Sequence, residues 1–237
     1  MSGHSKWSTI KRQKGAADAK RSNLFTKLAN AVTVAARNGA DPALNFQLRL
    51  AIDRARANNM PAANIERAIA RAQGGSAQNI EEILYEAYGA QGVAILIAVA
   101  TDNRNRTIAS IKAVLNKFGG KLAAAGAVQY LFDQKGEIII EEKNEGETEM
   151  DIIESGADDY EKEGNQYLIL TAPEKTASVK KWFEEKGYNI EDARIAWHAK
   201  QTVSLDKEEE KVFNLLSALD DLDDVTAVAS NIESWKT

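Results

Sequence analysis

Apolar residues recur every three to four positions through the first third of the chain and lose that period afterwards. Leu24, Leu28, Val32 and Ala36, with Phe25 and Ala29 beside them, draw one stripe along a helix from about Ala17 to Arg37. Asn38-Gly39 ends it, glycine supplying the left-handed cap. Asp41-Pro42 reads as cap and first residue of a second helix, with Leu44, Leu48, Ile52 and Ala55 inward. Pro61 opens a third, with Ile65, Ala68, Ile69 and Ala72 inward, and Gly74-Gly75 stops it. Short turns between three short helices predict a small bundle. Met1 to Gly15 has no apolar period and reads as an arm ahead of it.

Beyond Glu82 the pattern changes. Gly92 to Ala100 is apolar without alternation, a strand covered on both faces. Thr107 to Phe118 has helical spacing, and Ala127 to Phe132 reads as the next strand. A second unit follows: a strand at Glu137–Glu141, a helix at Thr148–Glu154, a hairpin of Asp159–Glu163 and Gln166–Thr171, a helix at Thr176–Lys186 and a strand at Ile195–Val203. That order, βαββαβ, is the ferredoxin-like split unit. Glu208–Leu219 then supplies a helix and Val225–Ala229 a strand, which the unit begun at residue 92 lacks. The expected fold is α+β: an N-terminal three-helix bundle, residues 1–78, plus two ferredoxin-like α/β domains. One is discontinuous, 79–133 and 207–237, and the other, 134–206, is inserted in it.

Charge sharpens this division. The 237 residues carry a formal net charge of -5, which alone argues against nucleic acid. The first 75 residues, however, hold 13 Lys+Arg and 4 Asp+Glu, net +9, and the remaining 162 are net -14. A basic first third on an acidic body suggests a polyanion-binding segment. The competing reading is that the two parts neutralise each other across an interface. Within the body, Glu141 to Gly164 holds eleven carboxylates against Lys143 and Lys162, and Asp220, Asp221, Asp223 and Asp224 form a second cluster. Such surfaces repel nucleic acid or simply maintain solubility.

The candidate binding residues follow from the basic third. His4, Lys6 and Trp7 combine cations with a stacking ring, and stacking is worth about 1–3 kcal/mol per base. Lys11, Arg12, Lys14, Lys20, Arg21 and Lys27 extend the stripe. Lys14 with Arg21 and Lys20 with Lys27 are each seven apart, so each pair can share a helix face; Arg49 and Arg56 repeat this on the second helix, and Arg67 and Arg71 lie on the third. A second candidate is Thr101–Thr107, where a strand hands over to a helix and Arg104 and Arg106 could clamp phosphate. The stronger reading of Asp102, Asn103 and Asn105 is as cap and turn residues, with the arginines paired to local carboxylates.

Enzyme readings fare poorly. There is no cysteine, only two histidines, His4 and His198, and no P-loop, nucleophile elbow, dinucleotide fingerprint or metalloprotease His pair. His198, beside Trp197 in a strand, reads as structural. No cofactor or metal is expected. The longest apolar run, Val93–Ala100, is eight residues, too short to cross a bilayer, and the N-terminus has no signal-peptide core. A cytoplasmic protein with no membrane partner is expected.

Long stretches also resemble a known family. GHSKWSTIKRQKGAADAKRSNLFTKL, NGADPALNFQLRLAIDRARANNMPAANIERAIARAQGG, YEAYGAQGVAILIAVATDNRNRT and FGGKLAAAGAVQYLFDQKG are similar to YebC/PmpR proteins, densest over residues 3–133. Ala40 and Ala63 depart from that pattern, where a second glycine and an acidic or polar residue are usual. The resemblance implies three domains, the third inserted in the second. It implies a non-enzymatic, cytoplasmic regulator of gene expression, conventionally a transcriptional regulator that binds DNA. The alternative it implies is a ribosome-associated translation factor that contacts ribosomal RNA and relieves stalling at proline-rich stretches. Mitochondrial relatives are translational activators.

Overall fold

The structure, a computed structural model, describes residues 17–74, 80–205 and 209–233; side chains of 17–22 and 145 are outside the description. Helices α1 (Ala17–Ala36), α2 (Phe46–Ala57) and α3 (Ala62–Gln73) form the bundle. Its core holds the predicted stripes apart from Leu44: Leu28, Val32 and Ala36 meet Leu48, Ile52, Ala55, Ile65 and Ala68. Thr33 bridges α1 to α3, its hydroxyl 3.0 Å from the carbonyl oxygen of Ala68.

The α1–α2 turn differs from expectation. Asp41 accepts from the Ala43 N–H at 2.8 Å, and its carbonyl accepts from Leu44 and Asn45, so Asp41-Pro42 makes a tight turn before the helix. Asn45 is the cap. Its Oδ1 accepts from the Leu48 N–H at 3.1 Å, while its Nδ2 donates to the carbonyls of Ala35 and Gly39, each at 2.7 Å. One buried amide thus closes α1 and opens α2. Starting the helix this late takes Leu44 out of the stripe, and it is 89% exposed.

Two four-stranded antiparallel sheets make up the body. The first holds β1 (Glu81–Tyr88), β2 (Ala94–Thr101), β3 (Lys121–Leu122) and β8 (Val225–Ser230), in the order β3-β1-β2-β8. Helices α4 (Arg104–Lys117) and α7 (Glu209–Asp220) cover one face, where Ile111, Leu115, Val212, Leu215, Leu216 and Leu219 pack on Tyr85, Ile95 and Ile97. Strand β1 was not anticipated. Ile83, Tyr85 and Ala87 pack beneath the helices while Leu84 and Tyr88 pack on the other side, so the sequence shows no polar alternation.

The second sheet holds β4 (Phe132–Glu141), β5 (Asp159–Glu163), β6 (Gln166–Thr171) and β7 (Ile190–Ala199), ordered β5-β6-β4-β7. Helices α5 (Glu145–Glu154) and α6 (Thr176–Glu185) complete βαββαβ. Ile138, Ile140, Ile152, Tyr167, Ile169, Val179 and Phe183 are its core. The last strand starts at Ile190, earlier than read, and Val203 makes only an isolated bridge to Ile232. The strand expected at Ala127–Phe132 is instead a 3-10 turn at Gln129–Leu131 leading straight into β4. Its backbone is diverted: Glu86, 3% exposed, accepts from the N–H of Gly126, Val128 and Gln129 at 2.5, 2.5 and 2.9 Å. Those donors have no place left in a strand ladder.

Candidate nucleic-acid interface

Of the candidate residues, His4, Lys6, Trp7, Lys11, Arg12 and Lys14 lie outside the described residues. Lys20 and Arg21 are in α1, but their side chains are likewise outside the description. Arg49 and Arg56 on α2, and Arg67 and Arg71 on α3, are exposed. The Arg49 guanidinium sits 5.6 Å from the centroid of the Phe46 ring, which holds it on the surface of α2. Arg67 leans along its own helix, donating to the Asn64 side chain and to the Ala63 carbonyl.

Lys27 does not share that exposed face. Its ammonium donates to the backbone carbonyl of Asp220 at the end of α7 and lies 3.5 Å from the Asp220 carboxylate. Burial pulls its pKa below the ordinary lysine value, opposed by the carboxylates of Asp220, Asp221 and Asp223. Lys27 therefore docks the bundle onto the body.

Arg54 does the same from α2. It faces Asp192 of β7 at 3.6 Å. Beside that pair, Arg194 donates from Nε to Glu137 of β4, and His198 Nε2 lies 2.7 Å from the other Glu137 oxygen. Burial alone would raise the Glu137 pKa, but the Arg194 guanidinium and the His198 hydrogen bond bring it down to about 2. Burial lowers the Arg54 pKa below the usual arginine value despite Asp192. Leu50, one turn before Arg54 on α2, packs into the core of the second sheet, and Lys180 of α6 reaches Asp53 at 3.0 Å.

Part of the basic third thus neutralises the acidic body across an interface, as the competing reading of the charge split had it. Lys27 and Arg54 are interior groups, whereas Arg49, Arg56, Arg67 and Arg71 face outward. The ion cluster of Arg54, Glu137, Asp192 and Arg194 was not legible in the sequence, because its members come from α2, β4 and β7 and share no spacing.

In the Thr101–Thr107 segment, the cap reading accounts for most of the residues. Asn103 caps α4, its Oδ1 accepting from the Arg106 N–H at 3.0 Å. Arg106 pairs with Asp102 at 3.0 Å and with Asp224 at 3.1 Å, so its guanidinium is held by carboxylates and is not an open phosphate clamp. Arg104 is exposed. Among the described residues no group of three or more His, Asp or Glu could hold a metal ion, and no helix is long and apolar enough to cross a membrane.

Comparison with known proteins adds a family. Residues 5–75 match the "TACO1/YebC protein N-terminal domain", and residues 80–232 match the "TACO1/YebC second and third domain". A protein of Nitrosococcus oceani is 47% identical over 238 residues, covering 98% of this chain and 96% of its own. One of Desulforamulus reducens is 45% identical over 240 residues, covering 98% and 99%. Both bear the name "Probable transcriptional regulatory protein". The crystal structure of a conserved hypothetical protein from Aquifex aeolicus superposes with a TM-score of 0.90 at 42% identity, over 98% of both chains.

Proposed function

Since the chain belongs to the TACO1/YebC family, we propose that it is a non-enzymatic regulator of gene expression that binds nucleic acid, with transcriptional control by DNA binding as the leading role. The names of its relatives support regulation of transcription. The observation that carries binding is the outward set Arg49, Arg56, Arg67 and Arg71, which stays exposed after Lys27 and Arg54 are committed to the body. Residues seven and four apart on a helix are about 10 and about 6 Å apart along its axis. Guanidiniums so placed suit successive phosphates, and phosphate contacts position a protein on nucleic acid without reading its sequence.

The same arrangement supports a second reading, a translation factor on ribosomal RNA, because phosphate recognition does not separate RNA from DNA. Co-sedimentation with ribosomes and binding to duplex DNA, each followed across a salt series, decide between them. A transcriptional regulator keeps duplex binding at salt concentrations where ribosome association is gone. The reverse order makes it a translation factor, and binding to neither overturns the proposal.

A further inference from the structure

The acidic body contains one stretch of opposite character. Residues 103–132 hold five basic residues and no Asp or Glu, bounded by Asp102 and Asp133. Arg106 is engaged by Asp102 and Asp224, but Arg104, Lys112, Lys117 and Lys121 are all exposed, the first three on α4 and the last at the start of β3. The Lys117 ammonium lies 5.3 Å from the Phe118 ring centroid, and that of Lys121 lies 5.8 Å from the Tyr88 ring. Tyr88 in turn donates its hydroxyl to the Ala127 carbonyl at 3.1 Å, which joins Lys121 to the loop at residues 123–128.

That loop closes around a buried carboxylate. Taking a carboxylate out of water is costly unless it is fully bonded. Glu86 meets the condition with three loop N–H groups, and these bonds draw its pKa below the ordinary value against the effect of burial. The loop's outer side is small and open: Ala124, Ala125 and Gly126 are exposed, and a Cβ on Gly126 would meet nothing within 4 Å. Next to it, between buried Val128 and Phe132, Tyr130 turns outward and is 66% exposed. Lys117 and Lys121 thus stand on either side of the turn that leaves α4, Lys121 is tied through Tyr88 to the loop, and the outward ring of Tyr130 follows that loop, in a stretch of chain without a carboxylate.

We propose that Lys117, Lys121 and Tyr130 form a second binding site, for single-stranded nucleic acid, with phosphates on the lysines and an unpaired base stacked on the tyrosine ring. This rests on the nucleic-acid reading above and places a contact outside the bundle. A base within a duplex already has both faces stacked, so the ring selects unpaired strands.

The test uses the full chain and three labelled probes: an oligouridylate, an oligodeoxyuridylate and a DNA duplex. Tyr130→Ala should weaken single-strand binding by about fivefold to a hundredfold, the range for losing one stacked base. It should leave duplex binding unchanged, and Tyr130→Trp should restore affinity. Lys117→Ala with Lys121→Ala should flatten the single-strand salt dependence by about 1.4 log–log units, at about 0.7 per phosphate. A response with either single strand supports the site, and the tighter probe identifies the sugar. Arg49→Ala with Arg56→Ala serves as the control on the bundle. Single-strand affinity unchanged in both body variants, with the bundle variant impaired, overturns this site and leaves the nucleic-acid reading standing. Equal losses on single strand and duplex from Tyr130→Ala overturn it as well. No binding of any probe by the unaltered chain removes both.

Discussion

His198 Nε2 lies 2.7 Å from Glu137 Oε1, and the other oxygen of the same carboxylate takes the Arg194 guanidinium. With the Arg54–Asp192 pair beside it, this carboxylate sits where the bundle meets the second sheet. Its folded pKa of about 2 is below the 4.5 of an unperturbed glutamate. The unfolded chain therefore takes up the proton first as pH falls. The stabilisation is complete above about 4.5 and is lost between there and about 2. Urea denaturation across a pH series should show that acid limb, and Glu137→Gln should flatten it. At neutral pH Glu137→Gln should lower stability, because it removes one carboxylate from Arg194 and leaves Asp192 to serve both Arg194 and Arg54.

Lys27 and Arg56 should behave oppositely although both belong to the basic third. Lys27→Ala removes a charged hydrogen bond to α7 and should lower stability by about 1.5–3 kcal/mol in denaturant titration. The salt dependence of nucleic-acid binding should not change. Arg49→Ala with Arg56→Ala should leave stability within about 0.5 kcal/mol. The same double variant should flatten the salt dependence by about one to two log–log units.

Asn45→Ala should be among the costliest polar substitutions in the bundle. Loss of a helix N-cap costs about 0.5–2 kcal/mol. Here the carbonyls of Ala35 and Gly39 lose a donor at the same time. A thermal midpoint lowered by no more than an ordinary cap substitution would show that Asn45 acts on α2 alone.

Gly136→Ala should destabilise the second sheet by more than the about 1–3 kcal/mol of ordinary overpacking. A Cβ there would run into the hydroxyl oxygens of Thr176 and Thr171, which are hydrogen-bonded to each other at 3.0 Å. Pairing it with Thr176→Ala should recover part of the loss if that clash is its cause.

We propose that residues 79–133 and 207–237 constitute one folding unit and that the second sheet constitutes another. Deleting 207–237 removes Val212, Leu215, Leu216, Leu219, Val225 and Val228 from the first core. At about 1.5–3 kcal/mol per buried side chain, that is about 9–18 kcal/mol. The loss equals the whole stability of a typical domain, about 5–15 kcal/mol. The truncated chain should lack a cooperative transition for the first sheet, whereas residues 132–205 expressed alone should keep one. A truncated chain as stable as the intact one would refute the arrangement.

The bundle helices and the βαββαβ unit were legible because each buries one face, and a single buried face leaves a period in the sequence. Strand β1 was not, since Ile83 and Leu84 are both covered, on opposite sides. The Ala127–Phe132 segment is β-prone by composition and is overridden by Glu86, a partner some forty positions earlier. Leu44 fits the apolar stripe and falls outside it because Asn45, not Asp41, sets where α2 begins. For the interface, net charge located the right third of the chain. It could not separate Lys27 from Arg56, because what distinguishes them is α7, which lies far along the sequence and folds back against α1. Tyr130 is not distinguished in the sequence for a related reason: an aromatic between Val128 and Phe132 looks like core until the turn points it outward.

The second sheet is mounted on the first by paired strands at its base. Leu131 accepts from the Lys200 N–H at 2.8 Å, Phe132 stands opposite Ala199 in the β4–β7 ladder, and the returning chain is tied by the Val203–Ile232 bridge. Outgoing and incoming backbones are thus two rails of one track, with torsional stiffness that a pair of free linkers would lack.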